Sequence, residues 1–112
     1  MIKVKDLEGY NIELPQKNMT LYGMAIGRSV ENTTSAGFAS NITFSEFRFS
    51  NEPVEDAEYY EDGMFELNDD GTVQVPFTIK YHGEDVFKLE ERASKIAMRS
   101  YQDQIANMEF EV

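Results

Sequence analysis

The chain has no cysteine and no tryptophan, and it has a single histidine and three prolines. Without cysteine there is no disulfide scaffold, no thiolate metal site and no cysteine nucleophile. One histidine, His82, sits before Gly83 and cannot supply a triad without a supporting motif. Cations are scarce: 10 Lys plus Arg stand against 21 Asp plus Glu, a net charge of −11. That balance argues against direct contact with nucleic acid, whose phosphates need cationic partners. It argues equally against docking to an anionic membrane surface. No apolar run approaches the roughly 20 residues of a membrane-spanning helix, and the opening Met1-Ile2-Lys3-Val4-Lys5-Asp6 lacks a signal-peptide core. The cytosol is the default compartment.

The 112 residues fit one domain, 1–112. Ile2 and Val4, then Tyr10, Ile12 and Leu14, alternate around Glu8-Gly9 and predict a hairpin, with a bulge or early strand end at Leu7. Residues 20–28 read as a strand with one small-residue face, because a helix would carry both Gly23 and Gly27. Glu31 to Gly37 reads as a loop. In the Phe-rich stretch 38–50, Phe38, Ile42 and Phe44 share one parity while Phe47 and Phe49 share the other, so a bulge or break falls between them. A second hairpin is predicted over 64–81, turning at Asn68-Asp69-Asp70-Gly71. Pro76 would place its second arm at an edge or a bulge.

After His82-Gly83 the period changes. Val86, Leu89, Ala93, Ile96, Ala97 and Ser100 form the stripe of an amphipathic helix, expected from about residue 84 to 106. Glu84 with Lys88, and Glu91 with Lys95, are spaced to pair along it. Lys88, Arg92, Lys95 and Arg99 read as a solvated flank, and Met108, Phe110 and Val112 suggest a last short strand. The expected fold is α+β: an antiparallel sheet of about five or six strands with one long C-terminal helix packed on one face.

The charge is segregated. From Phe49 to Ile79 there is no Lys or Arg, and nine acids fall there: Glu52, Glu55, Asp56, Glu58, Glu61, Asp62, Glu66, Asp69 and Asp70. As one helix, Glu52 to Asp62 would span about 16 Å and carry an acid every ~2.7 Å. Duplex DNA carries a charge every ~1.7 Å and a single strand every ~3.4 Å. Asn51 could cap such a helix, Pro53 suits its first turn and Gly63 its exit. Like charges inside a Debye length of about 8 Å repel; a cationic partner surface would relieve that repulsion and speed association. Tyr59, Tyr60 and Phe65 add aromatic groups of the type enriched at interfaces.

Other chemistry is not legible. Glu66, Asn68 and Asp70-Gly71 resemble the start of a calcium loop, but its first and twelfth positions hold Glu66 and Phe77 instead of Asp and Glu. The segment is read as a turn, with no metal or cofactor. Gly23 to Gly27 is too short for a phosphate loop.

The chain is therefore read as a small non-enzymatic binding protein, an inhibitor whose segment 52–70 occupies the basic groove of a nucleic-acid-binding partner such as a nuclease. In size, acidity and lack of cysteine it is similar to small phage-encoded anti-defence inhibitors, including those aimed at RNA-guided nucleases, and to bacterial immunity proteins that block cationic nuclease toxins. That likeness is compositional and implies a bacterial host cytoplasm. The alternative is a phage or mobile-element assembly protein that oligomerises through its sheet edges.

Overall fold

The computed structural model describes residues 1–29 and 41–110, residues 109 and 110 by their backbone alone. The expected loop at Glu31 to Gly37, Phe38 and Val112 lie outside the described residues. In chain order the elements are β1 (Ile2–Lys5), β2 (Asn11–Leu14), β3 (Asn18–Ser29), β4 (Ile42–Ser50), α1 (Ala57–Asp62), β5 (Glu66–Leu67), β6 (Thr72–His82) and α2 (Val86–Phe110). The architecture is α+β. A six-stranded sheet runs β2-β1-β4-β3-β6-β5, with α2 packed across it. Every strand pair is antiparallel except β1 with β4, a parallel junction held by the single pair Lys5 and Arg48. No described helix is long and apolar enough to cross a membrane.

The first hairpin forms as its alternation predicts, Ile2 opposite Leu14 and Val4 opposite Ile12. β1 ends at Lys5, ahead of Leu7. Asp6 ends it by accepting the Glu8 and Tyr10 N–H groups on one carboxylate oxygen, each at 2.9 Å. The parity switch in β4 is a bulge: Ile26 pairs Glu46 but Gly27 pairs Phe44, so Ser45 is the extra residue. It returns Phe44 to the face that Phe47 and Phe49 share.

β3 lies at the centre and turns Leu21, Gly23, Ala25 and Gly27 toward the core. The small residues make room for large ones. A Cβ on Gly23 would lie 2.4 Å from the Phe77 ring, and the Phe77 and Phe49 rings meet edge to face at 6.0 Å. Val73, Val75, Phe77, Ile79 and Tyr81 of β6 are all buried, as their period of two requires.

Pro76 is buried and pairs Met24 of β3. β6 is second from the edge of the sheet, yet β5 reaches only Val73 and Gln74. Among the described residues no strand pairs with the outer side of β6 past Gln74, so a residue without an N–H is tolerated there.

α2 starts at Val86 because Asp85 caps it, accepting the Lys88 N–H at 2.8 Å. Glu84 lies outside the helix and binds Arg92 at 2.9 Å, so its expected pairing with Lys88 is not the one formed. Arg92 also donates to the Lys80 carbonyl at 2.9 Å, which takes it out of the solvated flank. Glu91 does pair with Lys95, at 3.7 Å. The helix continues through Met108 to Phe110, where a final strand was expected. The residues 100–107 keep the helical stripe going, with Tyr101 and Ile105 buried.

The buried stripe of α2 is Leu89, Ala93, Ala97, Tyr101 and Ile105, while Ile96 is half-buried at its margin. Leu89→Ala is expected to cost about 2–5 kcal/mol, and Ile96→Ala distinctly less. Chemical-denaturation midpoints check this. An equal or larger loss at Ile96 would contradict the packing described.

Candidate partner-binding surface

The acidic segment leaves β4 at Ser50, whose hydroxyl accepts the Glu52 N–H at 3.3 Å and donates to the Glu52 carbonyl at 3.1 Å. The residue before a proline is pushed away from helical geometry, and the chain stays irregular through Asp56. The helix is therefore shorter than Glu52 to Asp62. It covers Ala57–Asp62 and is entered at Asp56 instead of Asn51, with no side-chain cap bond. Only Glu58, Glu61 and Asp62 of the nine acids lie on α1. The continuous helical spacing of charge that would match DNA is thus not formed.

Gly63 ends α1 as expected. It adopts the left-handed region (φ 66°, ψ 24°), and its N–H reaches the Tyr59 carbonyl at 3.3 Å. A Cβ there would also lie 2.7 Å from the Ser100 hydroxyl. This close approach fastens the segment to α2. Ser100 donates to the Gly63 carbonyl at 3.3 Å. The Gln104 amide donates to the same carbonyl, and to the Ser100 hydroxyl at 3.1 Å. Its oxygen accepts the Phe65 N–H at 3.2 Å. The Phe65 ring packs edge to face on Tyr101 at 4.9 Å.

The tyrosines pin the other side. Tyr60 meets Tyr22 of β3 at 6.0 Å and Tyr59 at 5.3 Å, both in edge geometry. Both tyrosines are half-buried, as are Val54 and Ala57. Burial pushes the Tyr59 phenol up to about 12, and the Glu66 carboxylate beside it adds to the effect. Burial raises Tyr60 as well, with the Asp56 charge contributing.

All nine acids, Glu52 through Asp70, are exposed. None of them has an ion-pair partner within 4.0 Å among the described residues. Asp70 differs in one respect. It accepts the Thr72 hydroxyl at 2.6 Å and the Thr72 N–H at 3.0 Å, and these bonds hold its carboxyl below the usual range. It shapes the turn at 68–71, which Gly71 closes with an N–H to the Asn68 carbonyl at 3.1 Å.

Two features of the surface are absent from the linear pattern. Cations return in space: Arg28 donates to the Asp70 carbonyl at 3.3 Å, and Arg99 shares a cleft with Asp62. Asp103 of α2 lines that same cleft and extends the acidic surface beyond residue 70. Asp103 lies four residues after Arg99 on α2, and the Gly63 contact brings Asp62 to the same cleft. A further concavity lies elsewhere. A cleft of about 610 Å³ opens beside the single β1–β4 pair, lined by Lys3, Lys5, Glu13, Glu46, Phe47 and Glu90 among others. Within it Glu46 is held below its normal range chiefly by Lys5, at 2.9 Å, with Arg48 at 2.7 Å.

No protein-family model matches this chain, and comparison with curated proteins and with solved structures finds no match to it.

Gln104→Ala should leave the Gly63 carbonyl and the Phe65 N–H short of partners, at a cost of about 1–3 kcal/mol. Amide hydrogen exchange should then quicken at 63–67 more than in the middle of α2. Uniform quickening would show that Gln104 acts only through global stability. Tyr59 gives a second test. Its raised pKa stabilises the fold at pH below the unfolded value near 10, and that contribution is lost as pH rises from there through about 12. The ultraviolet titration difference between the chain and Tyr59→Phe should have its midpoint near 12. A midpoint near 10 would mean that the ring is solvated.

Proposed function

We propose that the chain is a non-enzymatic inhibitor whose acidic arm, residues 52–70, occupies a basic groove of a nucleic-acid-binding protein. One observation carries the reading: nine acids stand exposed and unpaired on an arm whose apolar side is fixed to β3, β6 and α2. Their mutual repulsion is an electrostatic cost that Arg28 beside Asp70 and Arg99 in the cleft with Asp62 offset only in part. A cationic groove would offset it, and the fixed arm loses little conformational freedom on docking. The shortened helix shapes this reading. The arm offers a patch of carboxylates on irregular chain, one helical turn and a hairpin, without the regular charge spacing of a duplex. Recognition then rests on local matches between carboxylates and the lysines and arginines that hold phosphates. The arm is not proposed to bind nucleic acid, which the net charge of −11 repels.

The test uses the immobilised chain and the heparin-binding fraction of a bacterial lysate at low salt. The chain should retain a basic protein that a salt step or excess duplex DNA releases. Reversing Glu55, Asp56, Glu58 and Asp62 to Lys should abolish retention, while reversing Lys88 and Lys95 to Glu should leave it. Arg92 is unsuited as a control because it ties Glu84 to the end of β6. Retention by the four-fold variant, or a ternary complex with DNA in size-exclusion, would end the groove-occupation reading. Salt-insensitive self-association of the chain would favour the assembly role instead.

A further inference from the structure

A second surface lies on the opposite half of α2, far along the helix from Gly63. Phe87, Glu90, Glu91 and Ser94 follow one another at helical spacing on one flank. Across from them stand Phe44 and Phe47 of β4, and together with Lys95 they bound a cleft of about 370 Å³. The Phe44 and Phe47 rings lie 6.2 Å apart and tilted by 52°. Phe87 is 76% exposed, so it contributes almost nothing to the core. Glu90 lines the cleft half-buried, with no hydrogen bond or ion pair among the described residues. Burial raises its pKa, the sign of a carboxylate without compensation. Its neighbours are otherwise engaged, Glu91 with Lys95 at 3.7 Å and Glu46 with Lys5 at 2.9 Å.

We propose that this cleft takes the guanidinium of an arginine side chain from a partner protein, with Glu90 as its counter-charge and Phe44, Phe47 and Phe87 as its walls. Charge complementarity selects the occupant. An anionic ligand would meet the unpaired Glu90, and the cation in the cleft, Lys95, is already paired with Glu91. A purely apolar one would bury the Glu90 charge unpaired, which is unfavourable. A cation satisfies the carboxylate and gains from the ring faces. The planar guanidinium does both, forking onto a carboxylate while stacking on an aromatic ring. Glu90 and Phe47 also line the adjoining 610 Å³ cleft, so the side chain can approach along either opening. No residue of 52–70 takes part, and the site stands or falls apart from the acidic arm.

The test is an NMR titration of the labelled chain with N-acetyl-arginine amide, against the neutral isostere N-acetyl-citrulline amide. The arginine probe should shift the amides of 44–47 and 87–91 saturably, and the citrulline probe should not. Glu90→Gln should weaken the arginine response about tenfold or more, the scale of a lost charge-assisted contact. Phe87→Ala, at an exposed site that leaves the fold intact, should weaken it several-fold. The proposal is overturned if the shifts fall on 52–70 and persist in Glu90→Gln, because arginine then follows bulk acidity. Equal response to citrulline, or no response, overturns it too. Shifts at 44–47 and 87–91 that depend on protein concentration without probe would assign the cleft to a second copy and overturn the stated occupant.

Discussion

Everything in this structure depends on α2 lying close against the centre of the sheet. Beneath it β3 turns Gly23, Ala25 and Gly27 inward between two strands of bulky residues. The missing side chain of Gly23 leaves the volume that the Phe77 ring fills, with Phe49 edge to face against that ring, and Gly27 admits the Thr43 backbone of β4. α2 answers with small residues of its own, Ala93 and Ala97, between Leu89 and Tyr101. Large and small thus alternate across the interface, which is how close packing is reached without voids. A glycine in a strand weakens it locally; here the loss is offset by the aromatic packing it admits.

With α2 placed, it organises a different surface toward each end. Toward its C-terminus, Ser100 and Gln104 converge on Gly63 and Phe65 and hold the acidic arm. Toward its N-terminus, Phe87 and Glu90 face the bulged strand β4. The bulge at Ser45 matters here, since without the register shift Phe44 would point away from Phe47. The two surfaces share a polarity: both present acids, one to solvent on an exposed arm and one in an aromatic cleft. Under both proposals the partner would present cationic groups.

The sequence made the regular elements legible and hid the contacts between them. Alternation over Val73 to Tyr81 and the stripe from Leu89 to Ala97 are local signals with one dominant physical cause, burial of one face. The same holds for the switch between Phe44 and Phe47. The start of α2 falls at Val86, past the expected residue 84, because Asp85 caps it. Its end was misread because Met108 and Phe110 alternate with acids as strand residues do. The acidic segment was legible as a charge pattern but not as a shape. Six acids in eleven residues do not say whether the chain is helical, and Pro53 with the Ser50 turn limited the helix to Ala57–Asp62. The Glu90 cleft was invisible because it joins residues more than forty positions apart. The single parallel pair between Lys5 and Arg48, which leaves the larger cleft open, had no sequence signature.

The central claim is that the acidic arm is a fixed surface, held through Gly63, Phe65 and Tyr60, and not a solvated tether. Backbone ¹⁵N relaxation of residues 57–67 tests it most directly. The account predicts order parameters of about 0.85, matching those of β6 and the middle of α2. Values below about 0.6 across that span, with β6 rigid, would show the arm detached and would contradict the account.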